Sequence, residues 1–183
     1  MATAKIHVCA LDEMERTVNS TAASHLVSLI NQSMMPHTPA MISADRHLKL
    51  AMNDIGSPID GFVAPSVRHI EQFIAFVDAW DKSTSLVVHC WAGISRSTAA
   101  AFIALCHLNP DCSEQAIAQM IRDRSPTASP NRLLVNCADK LLGRSGRLIE
   151  AIDLLGSADL ASRGIPFSTC ADLSHELPEA DPS

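Results

Sequence analysis

Apolar residues along the chain recur with two periods, one typical of strands and one typical of helices. Apolar or alternating runs predict strands at 6–11, 47–52 and 86–88, and the run 25–30 fits either a strand or a helix. Helical spacing of apolar residues predicts helices at 65–81, 96–108, 113–123, 133–142 and 146–155. Because strands alternate with helices, we predict an α/β fold with a central, mainly parallel sheet of four to five strands flanked by helices.

The last part of the chain differs from the rest in charge and in apolar content. Residues 157–183 hold five acidic residues and one arginine, a net charge of −4, whereas the other 156 residues hold 15 acidic and 13 basic residues, a net charge of −2. This segment has few apolar residues and no strong period. We therefore predict one folded domain over residues 1–156, followed by an acidic, poorly ordered C-terminal tail over 157–183.

Composition limits the class of protein. The chain has 183 residues, of which 47 % are hydrophobic and 19 % charged, as in a soluble globular domain. No apolar stretch approaches the roughly 20 residues that cross a bilayer, and the first ten residues do not resemble a signal peptide. We therefore expect a cytoplasmic protein. The net charge of −6 and the scattered basic residues argue against nucleic acid or an anionic membrane as a partner.

Cysteine and histidine are frequent but dispersed. The six cysteines include no C-x-x-C pair, and the eight histidines show no zinc-binding spacing. We therefore expect reduced thiols, most of them in the core, and no bound metal.

One segment, LVVHCWAGISRST at 86–98, has a spacing that points to chemistry. An apolar strand leads to Cys90, five residues follow, and Arg96 begins a helix. A turn this tight directs successive backbone N–H groups inward, and such a nest binds a tetrahedral oxyanion next to the positive end of the helix. Gly93 permits a positive φ, and the small residues Ala92 and Ser95 allow the ring to close.

Each side chain in this loop has a predicted role. Cys90, at a helix N-terminus and surrounded by donors, is expected to be a thiolate and a nucleophile. Arg96 offers a planar fork for two phosphate oxygens. Ser97 is predicted to donate its hydroxyl to the cysteine sulfur, and His89 to orient the loop. The residues predicted to surround the phosphate are Trp91, Ala92, Gly93, Ile94, Ser95 and Arg96.

The motif His89-Cys90-x-x-Gly93-x-x-Arg96-Ser97 resembles the signature loop of the protein tyrosine phosphatase superfamily, and the short chain is most similar to its dual-specificity branch. Outside the motif, the resemblance extends loosely over residues 5–145 through the order of elements. It implies a parallel sheet flanked by helices, a cysteinyl-phosphate intermediate, and neither metal nor cofactor. It also implies a phosphorylated protein or peptide as substrate, with phosphotyrosine preferred and phosphoserine or phosphothreonine as the alternative.

The family places a general acid thirty to forty residues before the cysteine. Asp54 lies 36 residues before Cys90 and Asp60 lies 30 before it. We favour Asp54, because it follows a predicted strand as the family's acid does; Asp45 is a weaker alternative. In the dual-specificity branch, an asparagine placed like Asn131 braces the phosphate loop, but Asn131 is equally explained as a helix cap.

Other uses of the loop stay open. Trp91 either lines the pocket or packs in the core, and we favour packing. The loop has no lysine, which disfavours a phosphoinositide substrate. A sulfurtransferase or an arsenate reductase uses a cysteine loop of related shape, but Ser97 and Asp54 favour phosphate hydrolysis. A low-molecular-weight tyrosine phosphatase has its loop near the N-terminus. A catalytically inactive phosphate-binding module would not need the intact cysteine, arginine and acid.

Overall fold

A computed structural model of the chain describes residues 4–174, 176 and 177. Its sheet contains, within that range, the strands β1 (Lys5–Ala10), β2 (His25–Ile30), β3 (His47–Ala51), β4 (Leu86–Cys90) and β5 (Phe167–Cys170). The strand order is β3-β2-β4-β1-β5. The first three pairings are parallel and only β5 runs antiparallel to its neighbour β1. This arrangement confirms the predicted α/β fold, and 25–30, which was open between strand and helix, is a completely buried strand.

The helices that the structure describes lie on both faces of this sheet. They are α1 (Met14–Thr21), α2 (Val67–Ala79), α3 (Arg96–Leu108), α4 (Glu114–Arg124), α5 (Arg132–Leu141) and α6 (Arg147–Asp153). Helix α3 is buried on all sides from Arg96 to Cys106, so it is the central helix of the larger core. Helix α2 has one apolar face, which buries Ile70, Phe73 and Val77 against that core, as its predicted period requires.

The strand alternation divides the core into two layers. Leu86 and Val88 of β4 face the large cluster with α2 to α6, whereas Val87 faces a smaller cluster with Met14 and Val18 of α1. Because β1, β2, β3 and β4 are parallel, their carboxyl ends meet at one edge of the sheet. In open parallel sheets ligands bind beside this edge.

Two elements were not predicted, and one of them corrects the domain boundary. Helix α1 lies in a segment for which the sequence analysis made no prediction. Strand β5 lies inside the predicted tail and pairs with β1 from Lys5↔Cys170 to Val8↔Phe167. Leu173, which follows β5, is fully buried. A boundary at residue 156 is therefore wrong for this fold, because the segment beyond it completes the sheet; residues 175 and 178–183 of the predicted tail lie outside the described residues.

Among the described residues, none of the helices is both long and apolar enough to cross a membrane. The same part of the chain contains no group of three or more histidine, cysteine or acidic side chains arranged to hold a metal ion.

Candidate active site

The loop that joins β4 to α3, from Cys90 to Arg96 (the 90–96 loop), packs against the end of β1. Gly93 has a φ of +73°, and a Cβ at this position would lie 3.0 Å from the backbone nitrogen of Ala10. Both constraints require glycine. The backbone nitrogen of Leu11 donates to the carbonyl of Trp91 at 3.1 Å. The tight turn that the sequence predicted is therefore held against the neighbouring parallel strand by close backbone contact.

Cys90 begins this loop and is only 1 % exposed. The Gly93 backbone N–H points to Sγ at 3.3 Å, and the Ser97 hydroxyl lies 3.2 Å from Sγ. Two hydrogen-bonding groups therefore lie within reach of the sulfur. The geometry brings Ser97 to the sulfur, as the sequence analysis predicted.

Arg96 is 5 % exposed and has one fixed hydrogen bond, from Nη1 to the carbonyl of Met52 at 2.9 Å. Its Nε is the buried side-chain polar atom that lacks a hydrogen-bond partner among the described residues. The closest counter-charge is Oδ2 of Asp54, at 3.7 Å, which is beyond hydrogen-bond distance. Because an unpaired buried donor is costly, this N–H is a ready partner for an anion that enters the cavity.

Asp54 follows β3 and lies beside the loop. Its Oδ1 accepts hydrogen bonds from the Ser95 hydroxyl at 2.7 Å and from the Asn131 side-chain amide at 2.8 Å. Asn131 also donates to the carbonyl of Ile55 at 3.2 Å, and its Oδ1 accepts from the Leu134 backbone to cap α5. The helix cap that the sequence allowed is therefore present, while the side-chain amide holds Asp54 and Ile55. The contact of Asn131 with the 90–96 loop is made by its backbone N–H, which donates to the carbonyl of Ser95 at 3.2 Å.

Asp60, the alternative acid, is exposed and does not line the cavity. Asp45 lies before β3 in a short helical turn and does not line the cavity either. Of the three acidic residues considered from the sequence, the structure brings only Asp54 next to Cys90 and Arg96.

The cavity above the sulfur has a volume of about 460 Å³. Its walls come from the ends of β2 and β3, from the 90–96 loop, and from Ala161 and Ser162. Trp91 lines the cavity and is 56 % exposed, so the expectation that it packs in the core is wrong. The Trp91 carbonyl accepts the hydrogen bond from Leu11 that holds the loop, and the Trp91 ring lies at the rim of the cavity.

The wall at Ala161 and Ser162 belongs to the segment between α6 and β5 (the 157–165 segment), which the sequence analysis assigned to the tail. The Gly164 backbone N–H donates to the carbonyl of Ala92 at 2.8 Å. A Cβ at Gly164 would lie 2.4 Å from the carbonyl oxygen of Gly93, so only glycine permits this approach. Arg163 forms a bidentate ion pair with Asp12. No sequence motif marks this segment, because the contact of Gly164 with the 90–96 loop is made by backbone atoms.

A second cavity of about 350 Å³ adjoins the first and shares with it Trp91, Ala92 and Ser162. It is also lined by Leu11, and by Asp12 and Arg163, the two partners of the ion pair. The indole of Trp91 therefore stands between two depressions at the same edge of the sheet.

Comparison with known proteins gives a fold but no close relative. No protein-family model and no curated protein sequence matches the chain. Among similar solved structures, the human tyrosine phosphatase-like serine/threonine/tyrosine-interacting protein has a TM-score of 0.61 at 15 % identity, with 76 % of this chain and 92 % of that chain covered. DUSP15 has a TM-score of 0.61 at 16 % identity, with 84 % and 94 % covered. The PTP-2 phosphatase of Cydia pomonella has a TM-score of 0.57 at 20 % identity, with 74 % and 84 % covered.

These similarities show that the chain has the fold of the tyrosine and dual-specificity phosphatases. The resemblance that the loop motif suggested is thereby confirmed at the level of the fold. In this fold, the segment Cys90–Arg96 occupies the turn from the central parallel strand β4 into the buried helix α3.

Proposed function

We propose that this protein is a cysteine-dependent phosphatase that hydrolyses phosphate monoesters through a cysteinyl-phosphate intermediate. The observation that carries the proposal is the pairing, in one cavity, of a sulfur held by two donors with a buried arginine N–H that has no partner. A tetrahedral dianion satisfies both features, because Arg96 binds its oxygens while the Cys90 sulfur faces the phosphorus.

In the first step, the Cys90 thiolate attacks phosphorus and the bond to the leaving oxygen breaks, while Asp54 donates a proton to that oxygen. Oδ1 of Asp54 already accepts two hydrogen bonds, from Ser95 and Asn131, so the transferable proton belongs on Oδ2. Oδ2 is the oxygen that faces Arg96. Arg96 neutralises the charge on the equatorial oxygens as they pass through the transition state.

In the second step, water attacks the phosphocysteine and the sulfur–phosphorus bond breaks. Asp54, now ionised, takes the proton from the water, and inorganic phosphate is released. The Ser97 hydroxyl and the Gly93 N–H stabilise the departing Cys90 thiolate. The proton that Asp54 gave in the first step is thus recovered in the second, and the enzyme returns to its starting state.

We propose a phosphorylated protein or peptide as the substrate, with phosphotyrosine preferred over phosphoserine and phosphothreonine. Cys90 and Arg96 line the cavity and are almost fully buried. A phenyl ring carries its phosphate farther from the peptide backbone than a short aliphatic side chain does. The exposed indole of Trp91 at the rim offers an aromatic face against which this ring packs. The cytoplasmic location, and the expectation of neither nucleic acid nor membrane as a partner, stay predictions from the sequence.

The test of the reaction is hydrolysis of an aryl phosphate without added metal, between pH 5 and 8, by the wild type, Cys90→Ser and Cys170→Ser. Cys170 is a matched control, since it is a partly exposed thiol in β5 that does not line the cavity. We expect turnover by the wild type and Cys170→Ser and none by Cys90→Ser. A folded, reduced wild type that binds phosphate but does not turn over would contradict the proposal and indicate a phosphate-binding module.

The test of the substrate is a set of matched peptides that differ only in carrying phosphotyrosine, phosphoserine or phosphothreonine. We expect the highest kcat/KM with phosphotyrosine, and we expect Trp91→Ala to raise KM for that peptide by about 5–10-fold, the value of one aromatic contact. An equal change for the phosphoserine peptide would contradict the role of Trp91 in ring binding.

A further inference from the structure

A chain of buried hydrogen bonds runs behind the 90–96 loop, across three neighbouring strands. Thr38 Oγ1 lies 2.9 Å from Nδ1 of His47 on β3, and Nε2 of His47 lies 2.8 Å from the Ser28 hydroxyl on β2. The same hydroxyl lies 2.6 Å from Nε2 of His89 on β4, whose Nδ1 lies 3.2 Å from the carbonyl oxygen of Cys90. The chain thus ends at the peptide that begins the loop.

The donor and acceptor of every bond in this series of hydrogen bonds follow from the last bond, between His89 and the Cys90 carbonyl. A carbonyl oxygen only accepts, so Nδ1 of His89 carries the proton, and in a neutral ring Nε2 is then an acceptor. Ser28 must give its single proton to that Nε2. The hydroxyl oxygen of Ser28 is therefore left to accept, so Nε2 of His47 carries a proton and its Nδ1 accepts from Thr38.

Both rings are neutral at physiological pH. Burial is the main cause that lowers the pKa of His89 to about 4. The hydrogen bond from His89 to the Cys90 carbonyl opposes this shift, and the nearby charge of Arg96 adds to it. Burial likewise lowers the pKa of His47 to about 4, with Lys49 and His89 adding to the effect. A neutral pair makes the proton order unique and gives the two histidines opposite tautomers.

We propose that Ser28 and His47 are positioning residues for the nucleophile: they hold the His89 ring from its far side, so that its Nδ1–H keeps the Cys90 carbonyl turned away from the anion site. This role rests on the proposed function of Cys90. The physical reason is that a carbonyl oxygen turned toward the cavity would oppose both a thiolate and a phosphate dianion, whereas the loop's N–H groups attract them. Without Ser28, the His89 ring is fixed at one edge only.

The first measurement is nitrogen NMR of the wild type with ¹⁵N-labelled histidine at pH 7. We expect His89 with Nδ1 protonated and His47 with Nε2 protonated. Finding the same tautomer in both rings would overturn the proposal, since the chain of donors would then be broken at Ser28. This result is read without substrate, so it stands apart from any failure of the phosphatase activity.

The second measurement is the pH dependence of Cys90 alkylation by iodoacetamide in the wild type, Ser28→Ala and Thr169→Val. Thr169→Val is the matched control because it removes another buried hydroxyl from the same sheet, on β5, outside the hydrogen-bond chain. Ser28→Ala is expected to slow alkylation at pH 6.5 about tenfold and to move the midpoint of the pH profile upward, as the loss of one buried hydrogen bond implies. Thr169→Val is expected to leave the profile unchanged.

A second variant guards against a Ser28→Ala protein that does not fold. His47→Leu removes the donor to Ser28, which is three hydrogen bonds away from Cys90, and we expect the profile to move in the same direction by a smaller amount. An unchanged alkylation profile in the folded variants, or an equal shift in Thr169→Val, would refute the positioning role. If the profile shifts as expected but the wild type hydrolyses no phosphate ester, the proposed function fails and the positioning role stands.

Discussion

Replacing Gly164 by alanine tests whether the 157–165 segment is a working part of the site. The added Cβ would lie 2.4 Å from the carbonyl oxygen of Gly93 and 2.8 Å from its carbonyl carbon, both of which are backbone atoms that cannot rotate away. The segment must move, which strains the packing by roughly 1–3 kcal/mol and loses the bond from the Gly164 N–H to Ala92, worth about 1 kcal/mol. Together these losses predict a decrease of about 2–4 kcal/mol in the free energy of unfolding.

The assay is thermal unfolding combined with hydrolysis of an aryl phosphate. For a chain of this length, 2–4 kcal/mol corresponds to a Tm lower by roughly 4–16 °C. We also expect a lower kcat/KM below the unfolding transition, because Ala161 and Ser162 leave the cavity wall with the segment. Gly56→Ala is the control, since a Cβ there meets no atom within 4 Å. A Gly164→Ala protein with the Tm and kcat/KM of Gly56→Ala would refute the contact between this segment and the loop.

The remaining predictions concern the acid, the arginine and the buried histidines. Asp54→Asn is expected to lower kcat on an alkyl phosphate about 100-fold or more, with little effect of Asp60→Asn; equal losses in the two variants would contradict the assignment. Arg96→Lys removes the planar guanidinium whose Nε has no hydrogen-bond partner, so we expect inorganic phosphate to inhibit the variant at least about 100-fold more weakly. The measurement is competitive inhibition of aryl phosphate hydrolysis, and an unchanged inhibition constant would exclude Arg96 as the phosphate-binding residue. His47 and His89 have a pKa of about 4 when folded but about 6.5 when unfolded, so the unfolded state binds more protons as pH falls from 6.5 to 4 and stability decreases in that window. At pH 5 the free energy of unfolding is expected to be about 2 kcal/mol lower per histidine than at pH 7, as measured by urea unfolding. Equal free energies of unfolding at the two pH values would contradict the prediction.

The geometry of the 90–96 loop was predictable because its constraints are local. The positions of Cys90, Gly93 and Arg96 relative to one another follow from one strand, one turn and one helix, and each residue type has a reason within those few residues. The position of Asp54 was also predictable, since parallel strands end at the same edge of a sheet and Asp54 follows β3. The loop residues are predictable because they are close together in the sequence, and Asp54 is predictable because the parallel order of the strands fixes its position.

The wall at Ala161 and Ser162 was not predictable by the same argument. Its position depends on β5, a strand of four residues at the sheet edge in a polar and acidic segment, which has neither the length nor the apolar run of a buried strand. Helix α1 is similar, because it buries only Met14 and Val18 along a polar sequence. The sequence alone also does not reveal the side-chain contact of Ser28 with His47 and His89, since it requires the order β3-β2-β4.

The sheet order explains why one edge holds all of these parts. Strand β1 lies between β4 and β5, so its end at Ala10 and Leu11 contacts the 90–96 loop. Its antiparallel pairing with β5 brings the 157–165 segment into contact with the same loop. This arrangement is held by backbone contacts at Leu11 and Gly164 and by the ion pair of Arg163 with Asp12. The side chains of Ala161 and Ser162 take no part in these contacts. Substituting those two side chains therefore alters the cavity wall while the contacts that hold the 90–96 loop stay in place. Under the proposed function, substitutions at these two positions are therefore expected to change substrate selectivity while Cys90, Arg96 and Asp54 stay the same.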